Sequence, residues 1–507
     1  DTGGTFDMEN NSSLIQIDNV ANNGTVTYRR NADNIIGSDY VYWSSPVVNQ
    51  PLNSIYTIPT QGPKYKWNPI STNTNGGQGN WENANGNTME TARGYIVRGS
   101  SNASMSATTI TSSFTGVPNN GTIFKTVQRG TYTGGSYFGT NGITITNGED
   151  NWNLIGNPYP SAINALQFLS DNSSVIEGNV RLWTHNTAIG PNNGSTINNP
   201  FYGSYAYNYS TNDYITINFL GSTEPLADEF IRTGQGFFVQ MFDGPAITTN
   251  VTFNNAQRSN TYANDNFFRT FNEIETDSTG LPNLERHRIW LDLVDANNNP
   301  TRSLIGYIEG ATLGFDSFFD ATNRPSNSVG IFSLIGTEIY SIQGRPLPFN
   351  QNDQVPLGIY IPSVGTYTLA INKVDGLFEN PTQNIFLEDT ALGIIHNLKT
   401  NPYSFTSGLG MHNNRFILRY TNETLNLTTL ESNENVFAYS NEFVWVKSIK
   451  NAIKNIVVYD LLGKKVDEYN NVNGNEIKLK NLMPGKVVYI LRITLENDVI
   501  VNKKIIF

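Results

Sequence analysis

Ile456-Val457-Val458-Tyr459-Asp460-Leu461-Leu462-Gly463-Lys464-Lys465-Val466 reads as strand, turn and strand. The run up to Tyr459 is β-branched and aromatic, Gly463 relieves the turn backbone, and the lysines after it resume on a solvated strand, so the segment predicts a hairpin. The same signal continues downstream through Ile477-Lys478-Leu479, Tyr489-Ile490-Leu491-Arg492-Ile493 and a last strand from Val499 to Phe507 with Lys503-Lys504 embedded. Upstream it recurs in Tyr40-Val41-Tyr42-Trp43, Gly94-Tyr95-Ile96-Val97, Gly236-Phe237-Phe238-Val239 and Tyr367-Thr368-Leu369-Ala370-Ile371, each bounded by Gly, Asn or Pro. Few windows hold apolar residues at helical spacing; the best is Ser161 to Leu169, where Ser161 is placed to cap a short helix. The expected fold is all-β: tandem antiparallel β-sandwich domains of jelly-roll or immunoglobulin-like kind, ending in a small C-terminal β-sandwich. Helix should hold less than about a tenth of residues 1–435, against roughly a third in ordinary domains.

The 507 residues suggest about three domains. Only 15% are charged while 12% are aromatic, a balance that excludes a disordered chain. Net charge is −11, and it is divided unevenly. Residues 442–507 carry ten Lys and one Arg against seven acidic residues, a balance of +4; the preceding 441 carry −15. That break marks the tail as a separate module. Boundaries are therefore expected at 1–275 for a large β-rich domain with room for two sub-modules, at 276–430 for a β-sandwich, and at 436–507 for the basic module. An acidic body argues against nucleic acid as a partner, and no apolar run is long enough for a transmembrane helix. The start Asp1-Thr2-Gly3-Gly4 lacks an initiator Met, so the chain is expected to be either processed or, as the strand-and-turn pattern of Phe6 to Val20 favours, a fragment of a longer protein.

Chemistry-bearing patterns are sparse. Cysteine is absent, which removes disulfides and thiolate chemistry. His185, His287, His396 and His412 are scattered, and neither a zinc motif, a nucleophile elbow nor a phosphate loop occurs. Glu388-Asp389 and the pair Asp292 and Asp295 are carboxylates at strand ends, better read as turn residues than as catalytic pairs. Asp292, Asp295 and Asn297–Asn299 leave two readings open, a structural calcium site or a hairpin turn. Trp67, Trp81, Tyr202, Tyr205, Tyr207 and Tyr209 likewise suit either glycan stacking or a core face. No catalytic residue is expected, and no cofactor apart from that one opening for structural calcium.

Several motifs occur in a telling order: Asn153-Leu154-Ile155-Gly156-Asn157-Pro158-Tyr159-Pro160, Gly234-Gln235-Gly236-Phe237-Phe238, Phe253-Asn254-Asn255-Ala256-Gln257-Arg258, Ile342-Gln343-Gly344-Arg345 and Asp375-Gly376-Leu377-Phe378. In these the chain resembles cell-surface proteins of the Bacteroidota exported by the type 9 secretion system, and its tail resembles their type A C-terminal sorting domain. The resemblance implies surface display or adhesion, in some members linked to gliding, at the cell surface or outside the cell. It implies three partners: the outer-membrane translocon barrel, a shuttle barrel that accepts the signal, and a sortase. The residues that would carry the signal are Val458, Tyr459, Asp460, Leu461, Gly463, Lys464, Lys465, Val466, Leu482, Gly485, Tyr489, Ile490, Arg492, Lys503, Lys504 and Ile505. One departure is visible, because the family's Gly-x-Tyr is stretched here to Gly485 and Tyr489; two extra residues keep the alternation, so a longer turn is expected instead of a lost strand. Asp277-Ser278-Thr279 and Asp389-Thr390-Ala391 resemble the O-glycosylation pattern of that group, which puts sugar on Ser278 and Thr390. The competing functional reading is a glycan-binding module of a larger secreted hydrolase.

Overall fold

A computed structural model describes residues 6–35, 39–56, 63–72, 78–99, 108–131, 137–138, 144–145, 150–184, 213–225, 229–259, 264, 284–323, 328–422, 435–460, 463–485 and 487–507. Among the described residues strands make up 54% and helix 5%, so the fold is all-β and helix stays below the expected tenth there. Two compact units are present, Asp1–Thr421 and Asn422–Phe507.

In the first unit, Gly236–Met241 is buried along its whole length and pairs with Trp152–Gly156 and Ile176–Trp183. Alternation sends its two adjacent phenylalanines to opposite sides, Phe238 into a core with Tyr42, Trp43, Trp67 and Trp152, and Phe237 into a core with Tyr159, Phe168 and Phe253. Both faces of this sheet are thus covered, which is why the strand is continuously apolar.

The turns around it are held by the motif residues. Asn157 donates through its amide nitrogen to the carbonyls of Ser161, Ile231 and Arg232 at 2.8, 3.0 and 3.1 Å, and its oxygen accepts from Tyr159 N. Tyr159 donates to Gly121 O at 2.6 Å, and the Arg258 guanidinium lies 4.7 Å from the Tyr159 ring centroid. Asn254 and Gln257 close a capping box on the short turn Asn255–Gln257.

The helix lies further along than expected. It spans Ala165–Asp171 with Asn164 as its cap, accepting from Gln167 N at 3.0 Å. Ile163–Asn164 instead pairs with Phe230–Ile231, and the Ser161 hydroxyl accepts from Arg258. Strand pairing took the residues that local periodicity gave to a first helical turn. Asp375-Gly376 opens the 3-10 turn Gly376–Glu379, with Asp375 bound to Arg288.

Residues 286–419 build an eleven-stranded sheet that curls until it is nearly closed. All its pairs are antiparallel except Pro300–Ile308 with Glu338–Pro346. Its apolar side encloses Ile289, Leu291, Ile305, Leu357, Ile359, Leu369 and Phe416. The two ends approach at a polar seam. Arg415 holds Asp389 through Nε and Nη2 at 3.1 and 2.8 Å and reaches Thr406 O at 2.9 Å. Tyr403 donates to Asp389 at 3.0 Å. The boundary expected near residue 275 lies outside the described residues. On either side of it Leu220 shares a small core with Trp290, Leu304 and Ile342, and Trp290 Nε1 donates to Ser222 O at 2.8 Å.

The second unit has its own core between a three-stranded and a four-stranded sheet, containing Val436, Val444, Val446, Ile456, Val458, Leu479, Leu491 and Ile493. Its first strand begins at Val436, where the basic module was expected to start.

Candidate functional site

The hairpin expected from Ile456 to Val466 is formed in the second unit. Asp460 O accepts from Gly463 N at 3.1 Å, Asp460 N donates to Lys464 O at 3.0 Å, and the Asp460 carboxylate accepts from Lys464 N at 2.9 Å. Gly463 has φ +79, a backbone state that costs other residues about 1–2 kcal/mol. Leu461 lies outside the described residues. A bulge between Val458 and Tyr459 shifts the pairing with Lys465–Tyr469.

From this turn the four-stranded sheet runs in the order Lys465–Tyr469, Ile453–Tyr459, Val488–Leu495, Ile500–Ile506. Alternation sorts the predicted signal residues into two sets. Val458, Tyr489 and Ile505 face the core, joined there by Leu482. Tyr459, Ile490 and Lys504 form one row across the outer face, and Val457, Arg492 and Asn502 form the next. Arg492 and Lys504 are exposed, while Tyr459 and Ile490 are half-buried. The outer face is thus a mixed apolar and basic surface.

The remaining predicted residues lie at the sheet's margins. Lys464, Lys465 and Val466 are exposed on the hairpin arm, and Lys465 pairs with Glu468. That contact raises the lysine's pKa and lowers the carboxyl's. Gly485 N donates to Phe507 O at 3.1 Å and Val487 exchanges two hydrogen bonds with Phe507, so the stretched turn ends on the last strand and Tyr489 keeps its inward place. Lys503 sits opposite Leu491 on the core-facing parity of an edge strand, a placement that discourages another chain from adding there.

The three-stranded sheet carries a surface that sequence reading missed. Its outward residues are Phe437 and Tyr439 from Val436–Ser440, Trp445 and Lys447 from Val444–Ser448, and Glu476 and Lys478 from Glu476–Leu479. The alternation Val436-Phe437-Ala438-Tyr439 was the available signal.

Other expected positions resolve differently. Thr390 is exposed, but its hydroxyl donates to Asn414 O at 2.8 Å. Ser278 lies outside the described residues, as do Tyr202, Tyr205, Tyr207 and Tyr209. Trp67 is buried and packs edge-on to the half-buried Trp81, so this pair is a core contact. Asp292 is held by Arg302 at 2.6 and 2.8 Å, and Asp295 caps Asn297 and Asn299 in a hairpin turn with Asn298 at φ +63. Two carboxylates went unnoticed in the sequence: burial pushes both Glu177 and Asp320 up to about 7. Among the described residues no cluster of three metal-ligating side chains occurs.

No curated protein matches the chain. Residues 425–507, which hold the hairpin and both sheet faces, match the family model DUF8694, a domain of unknown function. Residues 1–420 match a second one, DUF8693, also a domain of unknown function, and with that match spanning the whole first unit the chain belongs to the DUF8693 family.

Proposed function

We propose that the protein is a secreted cell-surface cargo of the type 9 secretion system, adhesin-like in its body, whose second unit acts as the export signal. The observation that carries this reading is the row Tyr459, Ile490 and Lys504 beside the Asp460–Lys464 turn, on a unit with its own core. A receptor can read such a unit as a folded epitope, and its excess of lysine favours an acidic docking surface. The translocon barrel and the shuttle barrel are the readers in this account, and a sortase acts after export. The body works by display and adhesion, not by catalysis, and Ser278 and Thr390 carry O-linked sugar in the secreted protein.

The test uses the full chain in a type 9-competent cell. Deleting Lys503 to Phe507 removes most of the strand Ile500–Ile506 and leaves backbone groups of Val488–Leu491 unpaired. The shortened protein should stay in the periplasm while the intact one reaches the surface. Surface delivery of both would overturn the reading.

A further inference from the structure

We infer that the outer face of the three-stranded sheet in the second unit binds an anionic polysaccharide whose repeat carries a carboxylate. Strand register sets two rows on this face, Tyr439 beside Trp445 beside Lys478, and Phe437 beside Lys447 beside Glu476. Phe437 is 47% and Tyr439 43% exposed, although each lies on a strand whose alternate residues are core. Exposed aromatics next to one another on a sheet mark a contact surface. Lys478 Nζ sits 3.3 Å from the Phe443 ring centroid and 5.7 Å from that of Trp445, so its ammonium is held over an aromatic surface. The one carboxylate among these residues, Glu476, already accepts from the Tyr439 hydroxyl at 3.1 Å.

Flat rings offer the C–H face of a pyranose a stacking platform, and two ammonium groups offer its carboxylate a partner. The spacing of charge favours this ligand over nucleic acid. A polynucleotide brings a phosphate with every residue and needs a track of cations, whereas the two lysines of this face, set beside one glutamate, match a polymer that brings one carboxylate per disaccharide. A second copy of the same face fits poorly, since a two-fold contact would bring lysine toward lysine. The inference does not rest on the export reading, which concerns the opposite sheet.

The test passes the full chain over immobilised hyaluronate, which carries one carboxylate per disaccharide, over its fully methyl-esterified form, and over oligothymidylate at the same salt. Hyaluronate should retain the protein, and esterification should weaken retention about tenfold by removing the charge. Tyr439→Ser and Lys447→Glu, both at exposed positions, should each weaken it by about the same factor, the size expected for one lost stacking or charged contact. Arg492→Glu, on the other sheet, should leave it unchanged. An unaltered thermal midpoint in each variant ties the loss to the face. No retention, equal retention by the esterified polymer, tighter binding to oligothymidylate, or unchanged binding by both face variants would each overturn the inference.

Discussion

Ile176-Glu177-Gly178 begins a strand in which Glu177 has an outward parity, yet Gly178 is packed so closely on the Ser317 carbonyl that an added Cβ would stand 2.1 Å from its oxygen. Burial desolvates Glu177 and raises its pKa to about 7. Asp320 is raised to about 7 mainly by burial and further by Asp316, against Arg345 and the backbone N–H groups of Asp316 and Gly344. A carboxyl whose folded pKa lies above its unfolded value binds its proton more tightly in the native state. Its contribution is fully present below the unfolded value and falls as pH rises from there through about 7. Glu177→Gln should therefore leave the urea midpoint unchanged at pH 4 and raise stability by about 1–3 kcal/mol at pH 8. An equal effect at both pH values would show that Glu177 ionises normally. Asp389 has the opposite sign: Arg415 and Tyr403 hold its carboxyl below the usual range, so its stabilisation is lost as pH falls below that range.

At the scale of elements, the seam of the eleven-stranded sheet is the contact most exposed to a single change. The Asp389 side chain is fully buried and its charge is met by Arg415. Arg415→Ala should cost about 3–5 kcal/mol, because it strands a buried carboxylate, and Tyr403→Phe about 1 kcal/mol for one hydrogen bond. Urea titration of the two variants measures both, and similar losses would contradict the account of the seam. At the hairpin, Gly463→Ala meets no atom within 4 Å, so its cost should be the backbone term alone, about 1–2 kcal/mol. The strands were legible because Gly, Asn and Pro punctuate them and β-branched residues fill them. The helix start was not, because Ile163-Asn164 fits a helix locally and is taken by a strand partner more than sixty residues away. The Gly485 to Tyr489 turn was legible, since two added residues preserve alternation.

Across the whole molecule, the uneven charge was read as a module over residues 436–507, and the structure divides the chain at Thr421 and Asn422. Within the first unit the sequence offers no equivalent signal. Its cores are assembled from residues far apart in the chain, such as Leu220 with Trp290 and Ile342, and composition does not record such contacts. The outer face of the four-stranded sheet was half legible: the motif named Tyr459, Ile490, Arg492 and Lys504 together with core residues, and only strand register separates the two sets. If the second unit is the export signal, it should suffice as an address. Residues 430–507, fused behind a signal peptide and a fluorescent reporter in a type 9-competent cell, should carry the reporter to the cell surface. A reporter that stays in the periplasm, while an authentic sorting domain exports it from the same cells, would contradict the account.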